Sequence, residues 1–209
     1  MAKRMVDLIA GSVALVLVSP LWLISALAVW LESGSPVLFK QVRLGLNGKH
    51  FRMLKFRSMY VNSADLRNHD GSTYNGPGDP RVTRVGSLLR CLSLDELPQL
   101  VNVLRGDMSI VGPRPDPPDV LHLYRSEDHL RLSVKPGITG WAQIHGRNSL
   151  TWERRRDLDI EYVSKRNLWM DMRIMFHTVP VVLLRSGVYM EKPVNGRGAV
   201  TSVQRDEFE

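Results

Sequence analysis

The sequence predicts an α+β fold, mostly α, behind a membrane anchor, and three observations carry that expectation. The run LIAGSVALVLVSPLWLISALAVWL, from Leu8 to Leu31, contains no charged residue. Asn47-Gly48 sits between two runs rich in β-branched and aromatic residues, a strong signal for a tight hairpin. Beyond Arg81, apolar residues recur at helical spacing through much of the chain. A length of 209 residues leaves room for one ordinary domain. That domain is expected over 34–190, behind an anchor at 1–33 and ahead of a tail at 191–209.

The uncharged run is long enough to cross a bilayer, which takes roughly 20 apolar residues. Lys3 and Arg4 ahead of it imitate a signal peptide. The run is longer than the usual apolar core of such a peptide, however, and no small-x-small cleavage site closes it before Glu32, so it reads as retained. Both flanks are basic: Lys3 and Arg4 on one side, Lys40, Arg43, Lys49, Arg52, Lys55 and Arg57 on the other. Basic flanks tend to stay cytoplasmic, so a straight span puts one group on the wrong side, whereas a re-entrant helix satisfies both. Pro20 supplies a break, because it lacks the N–H that would bond the Val16 carbonyl. The Ser19 hydroxyl can take up a freed carbonyl there. A kinked single span is the alternative, since such helices tolerate proline.

The segment VLFKQVRLGLNGKHFRMLKF then reads as a β-hairpin turning at Asn47-Gly48. Residues 62–80 are polar and rich in Gly, Asn and Asp, which predicts a loop over a short helix. A helix is expected over 81–90, and LSLDELPQLVNVLRGD predicts another that closes near Gly106. IVGPRPDPP has too many prolines for helix or central strand and must be an ordered loop. A charged amphipathic helix is expected over 121–132, then a second rigid loop in KPGITGWAQIHGRN. Helix resumes at Thr151, and 168–185 forms a last helix interrupted by Pro180. Its Trp169 and methionines suit either the headgroup plane or the core. Cys91, the single cysteine, excludes an internal disulfide and is expected as a small buried packing residue.

A formal net charge of +7 favours an anionic partner: nucleic acid, lipid headgroups or phosphorylated small molecules. No basic stripe with interleaved stacking aromatics supports nucleic acid. The chemistry concentrates at Asp95-Glu96 in RCLSLDELPQL. One reading is structural, since Ser93 and Glu96 have capping-box spacing and acidic residues suit a helix N-terminus. The other rests on their company: Arg90 upstream, Arg114 in GPRP, Arg147 in HGRN, and Lys55 and Arg57 at the end of the hairpin. Carboxylates among guanidiniums suit phosphoryl chemistry. Arg forks hold phosphate oxygens, carboxylates can hold Mg²⁺ together with a substrate's phosphates, and an ionised Asp can attack phosphorus.

Taken together, KRMVDLIAG, the Ser-Pro break, KFRSM, TRVGSLLR, SLDELPQLVNVLRGDMSIVGPRP and KPGITGWAQIHGRN resemble the bacterial sugar transferase family, the small monotopic phosphoglycosyl transferases. The resemblance runs from Lys3 to about Arg185. It implies transfer of a sugar-1-phosphate, with an N-acetylated amino sugar the expected class, from a UDP-sugar to undecaprenyl phosphate, with Mg²⁺. It implies Asp95 as nucleophile, Asp95 and Glu96 at the metal, and Lys55, Arg90, Arg114 and Arg147 at the phosphates. Lys3 and Arg4 would meet lipid headgroups, and Ser19 and Pro20 would break a re-entrant helix. The catalytic domain would face the cytoplasm at the bacterial inner membrane. A non-catalytic scaffold for glycan assembly and a Mg²⁺-dependent UDP-sugar pyrophosphatase are the rivals.

Overall fold

The computed structural model describes residues 2–67, 74, 76, 78–184 and 201–203. Among these, helix predominates, with small two-stranded sheets. α1 (Ala2–Ser33) runs unbroken through Pro20. The Ser19 hydroxyl donates to the Val16 carbonyl at 2.8 Å, the acceptor that Pro20 leaves without a backbone donor. Val13, Val16, Leu17, Leu21, Leu23 and Ile24 are exposed along its middle, while Asp7, Gly11, Ser25 and Val29 are buried nearer its ends.

β1 (Leu38–Leu44) and β2 (His50–Phe56) form the expected hairpin, in register from Leu38↔Phe56 to Leu44↔His50. The turn is wider than a two-residue one. It spans Gly45 to Lys49, closed by the Gly45 N–H on the Lys49 carbonyl at 2.8 Å, with Asn47 and Gly48 both left-handed. β3 (Asp65–Arg67) lies where a loop was expected and pairs antiparallel with β6 (Thr201–Val203) in the tail. Within the stretch expected as a loop over a short helix, residues 68–73, 75 and 77 lie outside the described residues.

α2 (Arg84–Cys91) is capped by Thr83, whose hydroxyl accepts from the Gly86 N–H at 2.8 Å. Cys91 is only partly buried, so the core position expected for it is not realised. The helix expected to run from Leu92 to Gly106 is two pieces. Ser93 is left-handed (φ 57°), a tight 3-10 turn covers Leu94–Glu96, and α3 (Gln99–Arg105) follows, ending at left-handed Gly106. Ser93 makes no capping bond, so the capping-box reading fails. Pro98 falls just before α3, where its missing N–H costs no helical bond.

β4 (Ser109–Val111) pairs in parallel with β5 (Gly137–Thr139). Between them, 3-10 turns at Pro118–Leu123 and Ser126–Ser133 replace the amphipathic helix expected over 121–132. Tertiary ion pairs win over helical period there: Arg131 reaches Asp159 at 2.8 Å, and Arg156 reaches Asp128 at 2.6 Å. α4 (Trp141–Ile144) occupies part of the second predicted loop. α5 (Trp152–Lys165) and α6 (Leu168–Leu183) begin at Thr151 and Asn167, whose side chains accept N–H bonds. α6 buries Asp171 and Ile174 and exposes Trp169, Phe176, Val179 and Leu183.

Among the described residues, apolar packing falls into three clusters. Val29, Phe56 and Leu89 join α1, β2 and α2; Met53, Val103 and Met108 join β2 to α3; Val111, Tyr162 and Ile174 join β4, α5 and α6. Asn102, fully buried on α3, receives the Leu54 N–H at 2.9 Å and donates to the Arg52 carbonyl at 2.9 Å. It thus satisfies the free edge of β2, the strand that leads to Lys55.

Lys3 and Arg4, expected at headgroups, also bond within the protein. Lys3 pairs with Asp171 at 2.6 Å, and Arg4 donates to the Val103 and Leu104 carbonyls at the end of α3 at 2.6 and 2.9 Å.

Candidate active site

Four separate pieces of chain converge on Asp95 and Glu96. The end of β2 brings Lys55, the last turn of α2 brings Arg90, the loop after β4 brings Arg114, and the 3-10 turn Arg147–Ser149 brings Arg147. Glu96 is the hub. A single oxygen, Oε1, accepts from Lys55 Nζ at 2.9 Å and from Arg114 Nη2 at 2.7 Å. Arg147 reaches in from the far side and donates through Nη2 to the Ser93 hydroxyl at 3.0 Å. Its Nη1 is buried and has no partner among the described residues. Arg90 donates through Nε to the Ser58 hydroxyl at 2.8 Å.

Asp95 differs from its neighbour. It is 9% exposed, yet nothing among the described residues donates to its carboxylate. Burial raises its pKa above the ordinary carboxylate value, Lys55, Arg90 and Arg114 pull the other way, and the charge of Glu96 adds to the rise. Burial also acts to raise Glu96, but Arg114 and Lys55, bonded directly to it, more than offset that and hold it well below the usual range. Lys55 is lowered by burial, against the pull of Glu96. One carboxylate is thus locked in an ion triad, and the other is left unbonded beside cations.

Of the seven residues gathered from the sequence around this pair, six come together here: Lys55, Arg90, Asp95, Glu96, Arg114 and Arg147. Arg57 does not join them: it turns away to donate to the Ser33 and Gly34 carbonyls at 2.7 and 2.8 Å. Ser58, Ser93 and a buried support behind Arg114 were missed. In that support Arg131 pairs with Asp116 and Asp159 and donates to the Arg114 carbonyl at 3.2 Å. Burial pushes the Asp159 carboxyl up to about 6, against the pull of Arg131. Asp116, two residues beyond Arg114 in PRPDPP, carried a hint of this; Arg131 and Asp159 carried none.

Among the described residues, no group of three or more His, Cys, Asp and Glu gathers as a metal cage. Mg²⁺ needs fewer protein ligands, often one or two carboxylates completed by water and substrate phosphate. The unbonded Asp95 carboxylate and the Oε2 of Glu96, which accepts nothing among the described residues, are donors of the right kind.

A family model described as bacterial sugar transferase matches residues 1–185. The chain belongs to the bacterial sugar transferase family. Several curated members are close in sequence. The uncharacterized sugar transferase EpsL of Bacillus subtilis is 45% identical over 96% of this chain and 98% of its own length. The undecaprenyl-phosphate glucose phosphotransferase of Komagataeibacter xylinus is 47% identical over 85% of this chain but only 35% of its own. The UDP-glucose:undecaprenyl-phosphate glucose-1-phosphate transferase of Escherichia coli is 46% identical over 85% of this chain and 39% of its own. This sugar transferase therefore matches EpsL along nearly its full length and spans little more than a third of the two longer relatives.

Proposed function

We propose that this sugar transferase moves a sugar-1-phosphate from a UDP-sugar to undecaprenyl phosphate through a covalent intermediate on Asp95. The observation that carries the reading is the division of the carboxylate pair: Glu96 holds Lys55 and Arg114, while Asp95 stays unbonded beside them. An Asp95 oxygen attacks the phosphorus that bears the sugar, and the bond to the UMP oxygen breaks, UMP leaving with the electron pair. A phosphate oxygen of the lipid then attacks the same phosphorus, the bond to Asp95 breaks, and undecaprenyl diphosphate-sugar forms. Arg90, Arg114 and Arg147 would hold phosphate oxygens, the buried free Nη1 of Arg147 being one available donor. Mg²⁺ would sit at Asp95 and Glu96 and neutralise diphosphate charge when bound. The names of the longer relatives favour a UDP-hexose as donor, with an N-acetylated amino sugar as the competing class.

The anchor reading is re-entrant, at the cytoplasmic face of a bacterial inner membrane. Both ends of α1 dock on the same domain, Lys3 and Asp7 at its start and Glu32 and Ser33 at its end, with exposed apolar residues between. A straight span would carry those ends to opposite faces. Cysteines introduced at positions 2 and 60 should label from one side of sealed vesicles; labelling from opposite sides would refute re-entry.

The reaction is tested by incubating the protein with Mg²⁺ and a panel of UDP-sugars, with and without undecaprenyl phosphate, and following UMP. A sugar-phosphate adduct should map to Asp95 by mass spectrometry. UMP release that survives Asp95→Asn, or an adduct elsewhere, would overturn the assignment.

A further inference from the structure

A membrane anchor needs only an apolar surface, yet α1 also carries polar contacts to the elements that bear the site. Near its start, Asp7 is 4% exposed, and its Oδ1 accepts from the Ser109 hydroxyl at 2.9 Å and the Ile110 N–H at 3.0 Å. Both donors lie in β4, and the chain leaving β4 carries Arg114. Lys3 adds a bond to the Val111 carbonyl at 3.0 Å. At the other end, the two carboxylate oxygens of Glu32 accept from the Arg84 and Val85 N–H groups, both at 2.9 Å. These are the first residues of α2, whose last turn carries Arg90. Val29 packs against Phe56 and Leu89, with Leu94 and Leu97 on the same cluster. Those four residues are chain neighbours of Lys55, Arg90, Asp95 and Glu96 respectively.

We infer that α1 is a two-ended clamp on the site, with Asp7 and Glu32 as positioning residues. Asp7 sets the Arg114 wall through β4, and Glu32 sets the Arg90 wall through α2. The inference rests on the transfer reaction at Asp95 proposed above. Neither residue touches substrate. Each supplies acceptors at the seam between α1 and the rest of the chain: without Asp7 the buried Ser109 hydroxyl would be stranded, and without Glu32 the first turn of α2 would lose its bonds to α1.

The test uses the full chain in detergent or vesicles, following UMP release, vesicle flotation and thermal unfolding for Asp7→Ala, Asp7→Asn and Glu32→Ala. A misplacement of about 1 Å can cost up to about a hundredfold in rate, so Asp7→Ala and Glu32→Ala should each lower kcat by about ten- to a hundredfold while still floating with vesicles. Asp7→Asn keeps an oxygen for both donors and should return kcat to within about twofold of the parent, although it removes the charge. An Asp7→Ala protein with parental kcat overturns the clamp. So does an Asp7→Asn protein that loses as much as Asp7→Ala. Should Asp7→Ala fail to fold, Glu32→Ala at the partly exposed end decides: loss of kcat with unfolding temperature held supports the clamp, and parental kcat overturns it. A parent protein that releases no UMP from any UDP-sugar would refute the reaction itself; an active parent with unaffected variants refutes only the clamp.

Discussion

Replacing Glu96 with Gln should weaken the fold as well as the chemistry, by an amount the geometry sets. One Glu96 oxygen holds two cations, with side-chain exposures of 14% for Glu96, 16% for Lys55 and 32% for Arg114. Removing one charge from a buried pair costs about 3 to 5 kcal/mol, because the partner is left without compensation. Gln keeps an oxygen that accepts from one or both cations, and a neutral hydrogen bond returns about 1 kcal/mol. A loss of about 3 kcal/mol is expected at pH 7, which for a chain of this size lowers Tm by about 6 to 12 °C. The assay is thermal unfolding in detergent of Glu96→Gln, Lys55→Met and the double variant. Because the two side chains share one contact, the double variant should lose less than the singles together. Losses that add to within about 0.5 kcal/mol would show that Lys55 and Glu96 are not coupled, and would refute the reasoning.

Asn102→Ala should cost about 3 kcal/mol, since it strands the Leu54 N–H and the Arg52 carbonyl on the edge of β2 as well as losing the bonds themselves. Denaturant unfolding measures it, and a loss below about 1 kcal/mol would mean water replaces the side chain. Gly86→Ala puts a Cβ 2.1 Å from the Ser58 carbonyl oxygen, backbone that cannot yield without moving α2. It should cost about 1 to 3 kcal/mol and lower UMP release by disturbing the Arg90–Ser58 contact. The first-step rate should fall on acidification with an inflection above 3.8, because the attacking carboxylate of Asp95 is the form lost when its raised group protonates. Removing the charge of Glu96, which raises Asp95, should move that inflection to lower pH in the residual activity of Glu96→Gln.

Local chemistry was legible in the sequence where one residue decides the outcome, and lost where distant residues do. Pro20 alone implied a freed Val16 carbonyl, and Ser19 fills it. Asn47-Gly48 located the hairpin, but the loop length follows from which residues of β1 and β2 pair, and the dipeptide does not encode that. Helical period identified α3 and missed the break before it, because left-handed Ser93 sits where Arg147, more than fifty residues away, grips its hydroxyl at 3.0 Å. The turns between Pro118 and Ser133 follow ion pairs to α5 that no local pattern records. Lys3 and Arg4 were readable as basic, while their partners Asp171, Val103 and Leu104 were not. Arg114 and Arg147 could be picked out from sequence because charged residues in proline- and glycine-bearing loops stand out wherever those loops come to lie, and the structure brings both to the Asp95–Glu96 turn.

The asymmetry of Asp95 and Glu96 follows from placing two adjacent carboxylates in one dry pocket with a limited set of cations. Burial opposes ionisation of both, and the charge of Glu96 raises Asp95 further. Lys55 and Arg114 converge on a single Glu96 oxygen, which settles that carboxylate as an anion and uses up their hydrogen bonds. Asp95 receives the same cations only at longer range, so it keeps their field without their bonds. A nucleophile needs that combination: enough positive potential to stay ionised and to draw in a diphosphate, and no donor that must be broken before its oxygen can attack. Had the two cations divided themselves between the carboxylates, neither would be free. The left-handed Ser93 just ahead of the 3-10 turn is the local device that presents Glu96 to Lys55 and Arg114 and leaves Asp95 unbonded beside them.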